Sequence, residues 1–147
     1  MILQQMIDLL NEDLEREYSH WHFYMNAAVR VVGLHRKSLS KFFLEEAKGE
    51  MAHIEQFKRL IIGMDGIPST EVADFVNHMT DPTDLLIEAL KMEDEVVANY
   101  VQRMDDANEL EKNGGSDKVD GRHIEIFLED QILDSRGDAD NIREMLK

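Results

Sequence analysis

Phe43-Leu44-Glu45-Glu46-Ala47-Lys48-Gly49-Glu50-Met51-Ala52-His53 has the spacing of a helix whose inner face changes character halfway along. Phe43, Glu46, Glu50 and His53 recur at intervals of three and four residues, which sets them on one face. The stripe is apolar on both sides of this stretch, with Leu39 before it and Phe57, Leu60 and Met64 after it. A face that packs at both ends carries its middle into the core as well. Glu50 and His53, at i and i+3, then reach the same point from one helix.

Three further segments show the same pattern. The first runs from Ile2 to Leu34, with the stripe Leu3, Ile7, Leu10, Leu14, Glu17, Trp21, Tyr24 and Ala28. The quoted segment is the second, Lys37 to Met64, closed by Asp65-Gly66-Ile67-Pro68, where Gly stops a helix and Pro cannot continue it. The third starts at Asp81-Pro82-Thr83, an N-cap followed by a proline in the first turn. Its stripe is Leu86, Leu90, Glu93, Val97, Tyr100, Met104 and Ala107, and it ends before the loop Asn113–Asp117. The fourth, Lys118 to Met145, carries Ile124, Leu128, Gln131, Ser135, Asp138 and Ile142. Short first and last connections make antiparallel pairs. The longer middle one, from Pro68 to Pro82, crosses the bundle and leaves helices two and three parallel. Val72, Phe75, Val76 and Met79 have the spacing of one short helix within it. The expectation is an all-α, single-domain four-helix bundle over residues 1–147 with one long crossover between helices 2 and 3.

Composition narrows the function. With 31 acidic against 16 basic residues the formal charge is -15, which disfavours nucleic acid and anionic membrane and favours cations. No apolar run approaches membrane-spanning length, and no charged-then-apolar leader pattern opens the chain. There is no cysteine, so disulfides and thiolate metal sites are excluded; a cytoplasmic location fits that absence.

Glu17, Glu50, His53, Glu93 and Asp138 all fall in the middle of their stripes. Burying an unpaired carboxylate is expensive, and few Lys or Arg share these faces. Two divalent cations would balance four carboxylates. Oxygen and imidazole donors without thiolate suit iron or manganese, and zinc as well. The competing reading is an inert polar core.

At this point the sequence resembles the ferritin-like superfamily, and within it the bacterioferritins and the bacterioferritin-like Dps relatives. Glu17 followed by Tyr24, Phe43-Leu44-Glu45-Glu46 through Glu50-Met51-Ala52-His53, the break Asp65-Gly66-Ile67-Pro68, and Glu93 carry the likeness across nearly the whole chain. The resemblance implies two irons between the helices and oxidation of Fe(II) by oxygen or peroxide, in many members inside a hollow shell that stores ferric mineral. It implies Glu17 as a terminal ligand, Glu50 as a bridge, His53 on the first iron and Glu93 on the second. In helix four the family has a second Glu-x-x-His. Here Ser135 stands at the Glu and Asp138 at the His, with Asn113–Asp117 absorbing extra residues before it. Asp138 remains a donor for a hard cation, and Asp134 or Glu129 are candidate compensating ligands.

Met51 matches the position of a haem-ligating methionine at the bacterioferritin dimer interface, against a commoner reading as a packing residue. His20, one turn from Glu17, is a candidate to enter the site but is read first as a packing or surface residue. Tyr24 is read as a core aromatic that can hydrogen-bond a ligand carboxylate. Glu12, Asp13, Glu15, Glu109 and Glu111 are read as solvated. After Asp138 nine residues remain, too few for the fifth helix of 24-subunit shells. With the short helix at Val72–Met79, the resemblance therefore implies a 12-subunit homo-oligomer rather than 24. The alternative function is a non-catalytic structural or assembly relative with one metal or none.

Overall fold

The computed structural model describes residues 1–147, as four helices and no strand. They are α1 (Leu3–Arg30), α2 (Arg36–Gly63), α3 (Pro82–Glu111) and α4 (Gly115–Met145). Ends follow local chemistry. At α3 the Asp81 carboxylate accepts from the Asp84 N–H at 3.0 Å, and Pro82 occupies the first turn, as expected. At the end of α2, Gly66 N–H donates to the Ile61 carbonyl and Asp65 N–H to that of Ile62, a Schellman closure. The left-handed residue in it is Asp65, at φ 61°. Gly66 serves a different need, since a Cβ there would lie 2.8 Å from methyl carbons of both Ile7 and Ile61.

Two boundaries differ from the sequence expectation. Helix α1 stops at Arg30 instead of Leu34, because Val32 N–H pairs with the Thr80 carbonyl of the crossover. The Arg36 guanidinium accordingly takes up the free carbonyls of Val29 and Val31. The expected loop Asn113–Asp117 is shorter, as α4 already begins at Gly115. Gly114 and Gly115 adopt positive φ, 74° and 58°, and so make a tight turn that returns Ser116 and Asp117 to helix.

The crossover is extended, and no helix forms at Val72–Met79. It runs alongside α1 from end to end. Asn11 grips Ile67 and Ser69, Ala73 N–H donates to the Glu15 carbonyl, and Arg30 reaches the His78 carbonyl. That path matches roughly 30 Å of helix rise, and extended chain covers about twice the distance per residue. Phe75 and Met79 still pack on the core, which is why their spacing imitated a helix. The argument for a 12-subunit shell that used this helix is thereby removed.

Cross-helix pairs fix the directions. Asp13–Arg103, Glu17–Tyr100 and Tyr24–Glu93 make α1 and α3 antiparallel. His53–Asp134 and Gln56–Gln131 do the same for α2 and α4. Ser40–Ala28 and His53–Glu17 make α1 and α2 antiparallel, so α2 and α3 are parallel, as the crossover demands. The core divides into two apolar clusters. One gathers around Leu10, Leu14, Phe57, Ile61, Leu110 and Leu128, the other around Phe23, Phe43, Leu85, Ala89 and Ile142. Polar side chains occupy the space between them.

One residue read as solvated is not. Asp13 is fully buried and holds Arg103 through two hydrogen bonds, at 2.8 and 3.0 Å, with Arg16 as a further partner. A buried carboxylate needs such a cation.

Candidate metal centre

Each helix brings its mid-stripe polar residue into the space between the two apolar clusters. Glu17 on α1, Glu50 and His53 on α2 and Glu93 on α3 are buried, none more than 5% exposed. Asp138 on α4 is half-buried. Two residues join them that the sequence reading left outside the ligand set. Glu46 lies one turn before Glu50 on the same face, and His20 one turn after Glu17.

The side chains form three linked groups. Donor atoms of Glu17, Glu50 and His53 lie within 4.8 Å of one another; so do those of His20, Glu50 and Glu93, and those of Glu46, Glu93 and Asp138. Glu50 belongs to the first two groups and Glu93 to the last two. His53 Nδ1 is 3.5 Å from Glu17 Oε2 and 3.4 Å from Glu50 Oε2. On the other side of the ring, Nε2 lies 3.3 Å from Asp134 Oδ2. Asp134 thus meets the imidazole on the side away from Glu17 and Glu50, and it belongs to none of the three groups. Glu129 is exposed and belongs to none of the groups. Ser135 is buried at 1% exposure, but outside the three groups. Met51 is 53% exposed, on the outer face of α2.

Two tyrosines hold Glu93 and Glu17. Tyr24 of α1 donates to Glu93 Oε1 of α3 at 2.7 Å, and Tyr100 of α3 donates to Glu17 Oε1 of α1. The same Glu-x6-Tyr spacing on both antiparallel helices makes these ties reciprocal, two rungs at successive levels. Each tie leaves the second oxygen free. Glu17 Oε2, Glu50 Oε2, Glu93 Oε2, His53 Nδ1 and His20 Nδ1 are all buried without a hydrogen-bond partner. Buried polar atoms are ordinarily satisfied, so five orphans in one place mark a centre shaped for something that binds them.

The charges are strongly coupled. Burial pushes the Glu17 carboxyl up, but its pairing with Glu50 and His53 outweighs this and lowers it to about 2. Glu50 goes the other way, well above the usual carboxylate range, through burial and the adjacent Glu17 charge. Burial, Tyr24 pairing and the neighbouring acids leave Glu93 at about 8, and burial with Asp138 beside it brings Glu46 to about 8. Burial disfavours the His53 cation, yet Glu17 and Glu50 raise it to about 12. Protons therefore occupy positions that a cation can take over.

The donor set fits a divalent metal. Bonds of about 2.0–2.2 Å hold donor atoms of one ion at most ~4.4 Å apart, so donors within 4.8 Å of one another close on an ion with at most a slight contraction. Carboxylates and imidazole facing inward from the helices of an antiparallel bundle with one long crossover define the class of ferritin-like, diiron-carboxylate folds. The chain belongs to the ferritin family: residues 7–147 match its ferritin-like domain. Similar solved structures include ferritin-like, diiron-carboxylate proteins from Bacillus anthracis str. Ames, at 27% identity over 100% of both chains and a TM-score of 0.85. The Rhodobacter capsulatus bacterioferritin is 19% identical over 99% of this chain and 86% of its own, with a TM-score of 0.83. A Dps protein from Bacillus brevis is 14% identical over 98% and 96%, with a TM-score of 0.86. No curated protein matches the sequence. No helix is long and apolar enough to cross a membrane.

Proposed function

We propose that this protein binds Fe(II) in the bundle core and oxidises it with oxygen or peroxide, as a homo-oligomer that retains the ferric product. Iron is the substrate. The observation that carries the reading is the set of converging, buried and unpartnered donors, Glu17 Oε2, Glu50 Oε2, His53 Nδ1 and Glu93 Oε2. Glu17, Glu50 and His53 hold one ion; Glu50 is shared with its neighbour, which Glu93 also holds, and Asp138 and Glu46 add carboxylate at the α4 side. Manganese and zinc suit the same donors.

Two Fe(II) supply two electrons. With two protons they reduce one peroxide to two waters, or one dioxygen to one peroxide. The carboxylates keep the core near neutral as each iron gains charge. Tyr24 and Tyr100 hold the terminal glutamates in place, and Asp134 holds His53.

Aerobic addition of Fe(II), followed by absorbance of the ferric product, tests the activity. The wild-type protein should oxidise iron faster than buffer, and Glu50→Ala should lose at least an order of magnitude of that rate. Oxidation no faster than in buffer would falsify the activity. Sedimentation reads the assembly, and a stable monomer would remove storage. Ser135, where the resemblance implies a bridging glutamate, favours the second reading, a non-catalytic relative with one metal or none; the metal content of purified protein separates the two.

A further inference from the structure

We propose that His20 is a metal ligand: with Glu50 and Glu93 it forms the position of a second divalent cation, supplying from α1 an imidazole that α4 lacks. This rests on the reading that the core binds divalent metal. It goes further by assigning the second ion's nitrogen donor to a residue on a different helix.

The observations are geometric. His20 is 7% exposed, and its Nδ1 is buried with no hydrogen-bond partner. An imidazole left unpaired in a core is costly, and nothing on α1 or α3 satisfies it. A ring nitrogen of His20 lies within 4.8 Å of carboxylate oxygens of Glu50 and Glu93, and both of those residues carry an unpartnered Oε2. Glu50 also belongs to the group with Glu17 and His53, so cations at the two positions would share it as a bridge, the arrangement of two-metal sites. Each ion then has one imidazole, His53 from α2 and His20 from α1.

The side chains of α4 do not offer an equivalent. Ser135 presents a hydroxyl, and Asp138 groups instead with Glu46 and Glu93, an all-oxygen alternative that competes for Glu93. His20 also borders the flank of the bundle. It lines a cavity of about 420 Å³ between α1, the crossover and α3, alongside Asp74, Glu88, Glu95, Arg16 and Lys91. An ion can therefore reach His20 from the flank of the bundle without passing the first position.

Zn(II), which is redox-inert, tests the assignment in the full-length assembled protein by calorimetric titration. The wild type should take up two Zn(II) per chain. His20→Ala should keep the first equivalent and lose the second, or weaken it by roughly tenfold or more. Zinc-edge anomalous maps of wild-type crystals decide the matter independently if the variant does not fold. They should place a peak about 2.0–2.1 Å from a His20 nitrogen. Two equivalents with unchanged affinity in His20→Ala overturn the proposal, as does a second peak among Glu46, Glu93 and Asp138. A wild type that binds one Zn(II), at Glu17, Glu50 and His53, also overturns it and leaves metal binding by the core intact. A wild type that binds none removes both.

Discussion

Tyr24 and Tyr100 each spend their hydroxyl on one oxygen of a glutamate and leave the other oxygen free. Removing the hydroxyl frees the carboxylate to rotate and leaves a buried acceptor unpaired. Tyr100→Phe and Tyr24→Phe should therefore each weaken Zn(II) or Mn(II) binding by about tenfold, measured by titration, while the helical content by circular dichroism stays unchanged. Tyr24 was legible beforehand as a core aromatic able to hydrogen-bond a carboxylate, though not as the partner of Glu93. Tyr100 was legible only as a core residue, because its partner depends on how far α1 is offset against α3, and no single-helix pattern contains that offset. Asp13 is a different kind of miss. It lies three residues after Leu10 and four before Glu17, so the 3-4 spacing itself pointed inward; its acidity drew the solvated reading. Arg103, three residues after Tyr100 on the matching face, was the available signal for its partner.

At the level of the helix, two glycines of α4 make opposite demands. A Cβ on Gly121 would lie 2.7 Å from the Ala107 carbonyl oxygen and 2.6 Å from Glu111 Cγ, whereas one on Gly137 meets nothing within 4 Å. The Glu111 side chain can swing aside, but the α3 backbone cannot. Gly121→Ala should thus destabilise the protein by about 1–3 kcal/mol through overpacking. Gly137→Ala should stabilise it by up to ~1 kcal/mol through helix propensity. Thermal melting of the two variants should shift in opposite directions. Helix existence, order and direction were all readable, since each stripe is long and punctuated by Asp81-Pro82 or by Gly. The crossover was not, because Phe75 and Met79 are spaced by the core surface they pack on while Val72 stays exposed, and apolar spacing in so short a segment does not distinguish this from a helix.

Across the whole molecule, the polar layer between the two apolar clusters makes stability depend on what neutralises it. Glu46 and Glu93 rise from 4.5 to about 8 on folding. A raised folded value favours the native state fully below pH 4.5, and that contribution is lost as pH climbs to about 8. His53, raised from 6.5 to about 12, adds a further loss above 6.5. The melting temperature of metal-free protein should accordingly fall between pH 5 and 8. A cation that displaces these protons stabilises the native state by mass action, so the rise in melting temperature on anaerobic Mn(II) saturation should grow over the same window. A metal-independent melting temperature at pH 8 would count against a buried centre. Four of the five ligand candidates read from sequence are buried together, because an acid in mid-stripe has no other place to go. The contribution of His20 and Glu46 depends on three-dimensional proximity across helices. The two reciprocal ties between α1 and α3 act, finally, as a caliper. They stand ~10 Å apart along the helices, and sliding one helix past the other opens both at once. The span between the free oxygens of Glu17 and Glu93 is therefore set by backbone register before any ion arrives. On the proposed metal-binding reading, the placing of these two carboxylates is a property of the scaffold, tuned by residues that never touch the metal.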